Sequence, residues 1–104
     1  MSDLCREIEK FGKGIGNASR YRIIEALVKG RKTVGELVGT VKLSQPAVSQ
    51  HLKVLKACNL VVDERHGQEI FYTLNAKYTL DLLMNLVGDV KKQRSNTNTK
   101  NKDK

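Results

Sequence analysis

The sequence predicts a mostly α-helical fold with one small β-hairpin, and three observations predict it. Aliphatic residues recur at spacings of three and four along most of the 104 residues, the period of helices with one buried stripe. Two short segments with capping residues, beginning at Thr33 and Ser44, follow one another with only Lys42-Leu43 between them. Downstream, two β-branched and aromatic runs flank His66-Gly67-Gln68-Glu69, the pattern of a hairpin whose tip needs a positive φ.

Taken in order, Leu4, Ile8, Phe11 and Ile15 form the stripe of a first helix. Gly12-Lys13-Gly14-Ile15-Gly16 then reads as a flexible link. A second helix follows, whose Ile23, Ile24, Leu27 and Val28 are expected to face Leu37, Val48 and Leu52. Thr33-Val34-Gly35-Glu36 fits a capping box, in which the Thr hydroxyl and the Glu carboxylate each satisfy a backbone N–H left free at a helix start. Ser44 is the N-cap of the next helix, and Pro46 sits in its first turn, where a missing N–H costs nothing. Val48, Leu52 and Leu55 are its buried stripe. Asn59, which tolerates left-handed backbone, ends it. The strands are Leu60–Arg65 and Ile70–Leu74, and a last helix covers Tyr78–Gln93. A hairpin alone is unstable in water, so it must pack on the helices.

Outside the stripe of the helix after Ser44 stand short and amide-bearing side chains rather than a Glu/Lys mixture. Such groups hydrogen-bond to base edges and phosphates from a helix lying in a major groove. The expected DNA-contacting positions are Ser44, Gln45, Pro46, Ala47, Ser49, Gln50, His51 and Lys53. Two capped helices joined by a tight turn, the second polar outside, form a helix-turn-helix. A hairpin directly after it is a wing, carrying Arg65, His66 and Gln68 toward a neighbouring phosphate or minor groove. The expected fold is thus a winged helix-turn-helix. The terminal helices keep more apolar surface than this core can cover: Leu4, Ile8 and Phe11 at one end, Leu80, Leu83, Met84 and Val87 at the other. Each fully buried Leu or Val contributes ~1.5–3 kcal/mol, so a homodimer through the N- and C-terminal helices is expected, the alternative being that one terminal helix packs on the other within the chain. Two recognition helices so paired would meet an inverted repeat, with half-sites ~34–36 Å apart.

Three segments carry a family resemblance. Asn17-Ala18-Ser19-Arg20-Tyr21-Arg22-Ile23-Ile24 looks like the helix opening of the ArsR/SmtB repressors. Ser44 through Val61 is similar to that family's recognition helix and its exit, and Arg65-His66-Gly67-Gln68 with Phe71-Tyr72 resembles its wing. The likeness spans residues 4–92. It implies a homodimeric repressor that releases its operator on sensing an inducer. The family's usual metal sites, a Cys-x-Cys pair before the recognition helix and an Asp/His pattern on the last helix, are missing here. Its persulfide- and oxidant-sensing cysteines lie in the second and last helices, and neither position matches.

Cys5 and Cys58 are the two cysteines present. They admit two readings: a redox or soft-metal switch favoured by adjacent Arg6 and Lys56, or, for Cys58, a small hydrophobe closing a helix end. His51 and Cys58 stand ~10 Å apart along their helix at 1.5 Å per residue, too far to share a metal. No cofactor is expected.

The net charge of +8 is unevenly placed. Residues 1–90 hold thirteen Lys or Arg against ten Asp or Glu; residues 91–104 hold six against one. Residues 1–93 therefore read as the DNA-binding and dimerisation domain, and residues 94–104 as a basic, polar, disordered tail, either drawn to phosphate or merely solubilising. No apolar run approaches the ~20 residues that span a bilayer. The acidic residues Asp3, Glu7 and Glu9 do not make a signal peptide. With two cysteines and no signal, a cytoplasmic location without membrane association is expected. Sparse aromatics and no Trp argue against a single-strand or RNA reader. No Gly-rich phosphate loop, nucleophile elbow or His-Glu-x-x-His occurs, so an enzyme is not expected. The alternatives are a constitutive winged-helix DNA binder and a winged-helix protein-interaction module, both without effector sensing.

Overall fold

The computed structural model describes residues 3–101. The elements run α1 (Asp3–Ile15), α2 (Ala18–Val28), β1 (Lys32–Thr33), α3 (Val34–Val41), α4 (Gln45–Ala57), β2 (Val61–His66), β3 (Glu69–Leu74) and α5 (Ala76–Asn101). The fold is the expected helical core with a hairpin, and each cap is in place. Asn17 accepts from the Arg20 N–H at 3.1 Å. Thr33 and Glu36 form the reciprocal box, Thr33 N–H donating to the Glu36 carboxylate at 2.9 Å and Glu36 N–H to the Thr33 hydroxyl at 3.2 Å. Ser44 accepts from Ala47 N–H at 3.3 Å. Lys42 (φ 58°) and Asn59 (φ 63°) take the left-handed conformation that closes α3 and α4. Asn59 was legible as such a residue; Lys42 pays the left-handed penalty because the turn into α4 must be short.

The core lies where α2, α3 and α4 meet the base of the hairpin. Ile23, Leu27, Leu37, Val41, Val48, Leu52, Leu55, Leu60 and Val61 are buried in one cluster. Val28, expected among them, is instead 66% exposed at the end of α2. It falls one residue beyond Leu27, so the helical turn points it away.

Two other expectations are corrected. The glycine-rich stretch is not a flexible link: α1 continues to Ile15, and Gly14 is buried. A Cβ there would stand 2.5 Å from Leu60 Cδ1, so the missing side chain lets α1 approach the exit of α4. Arg20 fixes the same junction, its guanidinium donating to the carbonyls of Gly14 at 2.9 Å and Lys13 at 3.0 Å, groups that lack partners within a helix end. The hairpin has a third strand, with sheet order β1-β3-β2 and every pair antiparallel. β1 pairs Lys32 with Tyr72 and Thr33 with Phe71, which covers the second edge of β3. Both hairpin strands reach one residue further than expected, leaving Gly67-Gln68 as a two-residue turn with Gly67 at φ 66°.

α5 is longer than its expected span, starting at Ala76 and running 26 residues to Asn101, ~39 Å at 1.5 Å per residue. α5 thus runs through residues 94–101, into the segment read from composition as a polar tail. Residues 102–104 lie outside the described residues. α1 packs on α5 within the chain: the Tyr78 hydroxyl donates to the Glu7 carboxylate, and Leu82 is 4% exposed. Burial, and then the hydrogen bond to Glu7, pushes the Tyr78 phenol up to about 12.

Candidate nucleic-acid interface

α4 is amphipathic in the expected sense. Val48, Leu52 and Leu55 are fully enclosed, which fixes the helix from behind. Ser44, Gln45, Pro46, Ser49, Gln50 and Lys53 are all exposed, and Ala47 is half-buried at the margin. Gln45, Ser49 and Lys53 repeat every four residues, so they form one ridge. Gln50 and Pro46 lie beside it. The Ser44 hydroxyl accepts from Ala47, which leaves its O–H able to donate to an anion. Among the described residues Lys53 forms no ion pair, so its charge is available to phosphate.

His51 is placed differently from the rest of its expected set. It is half-buried, with Nδ1 3.5 Å from Arg20 Nη1, on the flank of α4 that faces the α1–α2 junction. Lys56 is likewise engaged, pairing with Asp63 at 2.8 Å. This ties the end of α4 to the start of β2. The pair holds Lys56 above the usual lysine range and Asp63 below the usual carboxylate range, chiefly through their mutual hydrogen bond.

The wing projects into solvent. Only Val61 of β2 is buried, and Arg65, His66 and Gln68 are all exposed. His66 Nε2 lies 3.3 Å from Arg31 Nη1 and 3.2 Å from Glu64 Oε1. That nitrogen can accept from the guanidinium or donate to the carboxylate, according to where its proton sits. His66 meets Phe71 edge to face, with centroids 5.5 Å apart. The Arg31 guanidinium lies 4.3 Å over the Phe71 ring. Sequence reasoning missed Arg31, because its partners lie 35 and 40 residues away and no local pattern links them.

The remaining expected positions lie away from this surface. Leu4, Ile8 and Phe11 are half-buried, and Phe11 packs on the core. On α5 Leu80 is 61% and Met84 62% exposed, with Leu83, Leu86, Val87 and Val90 also open. Cys58 is buried beside Gly14 and Leu60, while the Cys5 side chain lies outside the described part of the structure. Among the described residues, no three His, Cys, Asp or Glu side chains gather in a metal-binding arrangement. No described helix is long and apolar enough to cross a membrane.

Comparison with known proteins agrees with this geometry. The family described as "Bacterial regulatory protein, arsR family" matches residues 17–62, from the N-cap of α2 into β2. The transcriptional repressor SdpR of Bacillus subtilis is 35% identical over 69 residues, covering 66% of this chain and 77% of SdpR. The structure of HlyU from Vibrio cholerae superposes with a TM-score of 0.68 at 34% identity, over 83% of this chain and 97% of HlyU; HlyU is a transcriptional activator. A homodimeric winged helix-turn-helix DNA-binding domain from Mycobacterium bovis, a possible ArsR-family regulator, gives a TM-score of 0.70 at 24% identity. It covers 90% of this chain and 93% of that domain, and the likeness is one of fold.

Proposed function

This chain belongs to the ArsR family of winged helix-turn-helix, DNA-binding transcriptional regulators, and we propose that it works as a homodimeric repressor which binds an inverted-repeat operator through α4 and the wing and leaves it on an inducing signal. The observation that carries the reading is the exposed ridge of Gln45, Ser49 and Lys53, with Gln50 beside it, on a helix whose opposite side is sealed by Val48, Leu52 and Leu55. A polar ridge held rigidly by a packed stripe loses little entropy on entering a groove. Ser44, Gln45, Pro46, Ala47, Ser49, Gln50 and Lys53 meet the major groove; Arg65, His66 and Gln68 meet the flanking backbone or minor groove. His51 acts from behind, by orienting Arg20. The dimer reading rests on the open apolar side of α5, which one subunit alone leaves in water. A regulator of this kind acts on promoter DNA in the cytoplasm.

Footprinting on the DNA around its own gene tests the proposal. A protected inverted repeat, with affinity falling steeply as salt rises, is the expected result. Protein that ignores duplex DNA at low ionic strength would overturn it. Adding oxidant, polysulfide or a thiophilic metal to the complex, with Cys5→Ser and Cys58→Ser beside the wild type, tests release; equal release from all three proteins would remove sulfur from the switch.

A further inference from the structure

We propose that Arg31 is a DNA-phosphate contact of the wing, held in position by Phe71 and His66. The inference rests on the reading that the wing lies against DNA, and it assigns the charge that makes this possible. Within the hairpin, Asp63, Glu64 and Glu69 stand against Arg65. Side chains alternate across a strand, and the register pairs Glu64 with Phe71 and His66 with Glu69. Glu64, His66, Glu69 and Phe71 therefore share one face of the wing, while Arg65 belongs to the other. That face carries two carboxylates and no Lys or Arg of its own. Set against a phosphate backbone it would be repelled.

Arg31 supplies the missing cation from outside the hairpin. It precedes β1, and its guanidinium lies 4.3 Å over the Phe71 ring with Nη1 3.3 Å from His66 Nε2. The Phe71 ring orients the planar group, and His66 adds to this when Nε2 is the accepting nitrogen; neither contact neutralises the charge. Among the described residues Arg31 forms no ion pair, and it is exposed. Arg20, by contrast, spends its donors on the Gly14 and Lys13 carbonyls. A guanidinium pre-oriented by stacking, with its full charge and several N–H groups left over, suits bidentate binding of a phosphate. A residue serving only to brace the wing would need none of that spare capacity.

The experiment measures affinity for the footprinted operator by full-length wild type, Arg31→Ala, Arg31→Lys, Phe71→Leu and Arg65→Ala. Each is measured over a range of salt, with single phosphates of the duplex replaced by neutral methylphosphonates. Arg31→Ala should bind about three- to tenfold more weakly, with the slope of log affinity against log salt smaller by about 0.9 per bound subunit. One phosphate per half-site should matter to wild type and cease to matter in Arg31→Ala. Phe71→Leu keeps the charge but not its platform, and should show part of the same loss; Arg31→Lys should keep the slope and lose part of the affinity.

If every phosphate costs the same in wild type and Arg31→Ala while Arg65→Ala still loses a phosphate, the wing touches DNA without Arg31 and the inference is overturned. If neither variant loses one, the placement of the wing on DNA fails as well. A lower melting temperature for Arg31→Ala with unchanged slope and phosphate profile would make it a structural brace and overturn the inference.

Discussion

Gln50 and Lys53 project from the same stretch of α4, and on the proposed reading they carry different kinds of interaction. An amide pairs with base edges in a fixed donor–acceptor pattern, whereas an ammonium attracts any phosphate. Gln50→Ala should therefore flatten discrimination among operator variants, by about 1–3 kcal/mol at one base position. Lys53→Ala should weaken all sequences alike and reduce the salt slope by about 1. Competition binding with a panel of single-base operator variants distinguishes them, and unchanged preference in Gln50→Ala would move the base-reading face elsewhere. Gly14 makes its contribution by lacking a side chain. Gly14→Ala should destabilise the fold by about 1–3 kcal/mol through overpacking against Leu60, even though alanine favours helix. In Gly14→Ala/Leu60→Val the cost should be less than the sum of the two single changes, which denaturant melts can measure.

At the scale of elements, α1 and α5 are joined through a hydroxyl–carboxylate contact between Tyr78 and Glu7. The folded protein holds the Tyr78 phenol near 12, above the ordinary 10.0, because burial and then Glu7 disfavour the phenolate. Its contribution to stability is thus fully present below pH ~10 and is lost as pH rises toward ~12, since the unfolded chain ionises first. Alkaline melts should show a steeper loss of stability across that interval for wild type than for Tyr78→Phe. Equal slopes would mean that folding does not raise the Tyr78 phenol, and so that its burial against α1 does not hold. The wing is a second element whose behaviour depends on partners outside it: β1 covers one edge of β3, and Lys56 ties α4 to β2 through Asp63.

For the whole molecule, the decisive surface is the open side of α5. Leu80, Met84 and Val87 lie within eight residues and are all solvent-exposed in one subunit, a cost that a second subunit would remove. If the proposed dimer forms through this surface, Met84→Glu or Val87→Glu should leave monomer at micromolar concentration and lower operator affinity at least tenfold. Light scattering reads the mass. A wild-type mass of one chain would refute the two-fold arrangement.

Much of this architecture was legible in the sequence because its determinants are local. The capping box at Thr33 and Glu36, the Ser44 cap, the stripe of Val48, Leu52 and Leu55, the left-handed Asn59 and the turn at Gly67 each act over a few residues, and period and capping chemistry announce them. Tertiary structure alone decided what depends on approach between distant segments. A two-residue strand such as β1 has no period to read and forms only because β3 offers an open edge. Gly14 looks like a hinge until Leu60 is brought against it. His51 was drawn toward Arg20 rather than outward, and Arg31 was set over Phe71, because the folded helices and sheet brought together side chains that lie far apart along the chain.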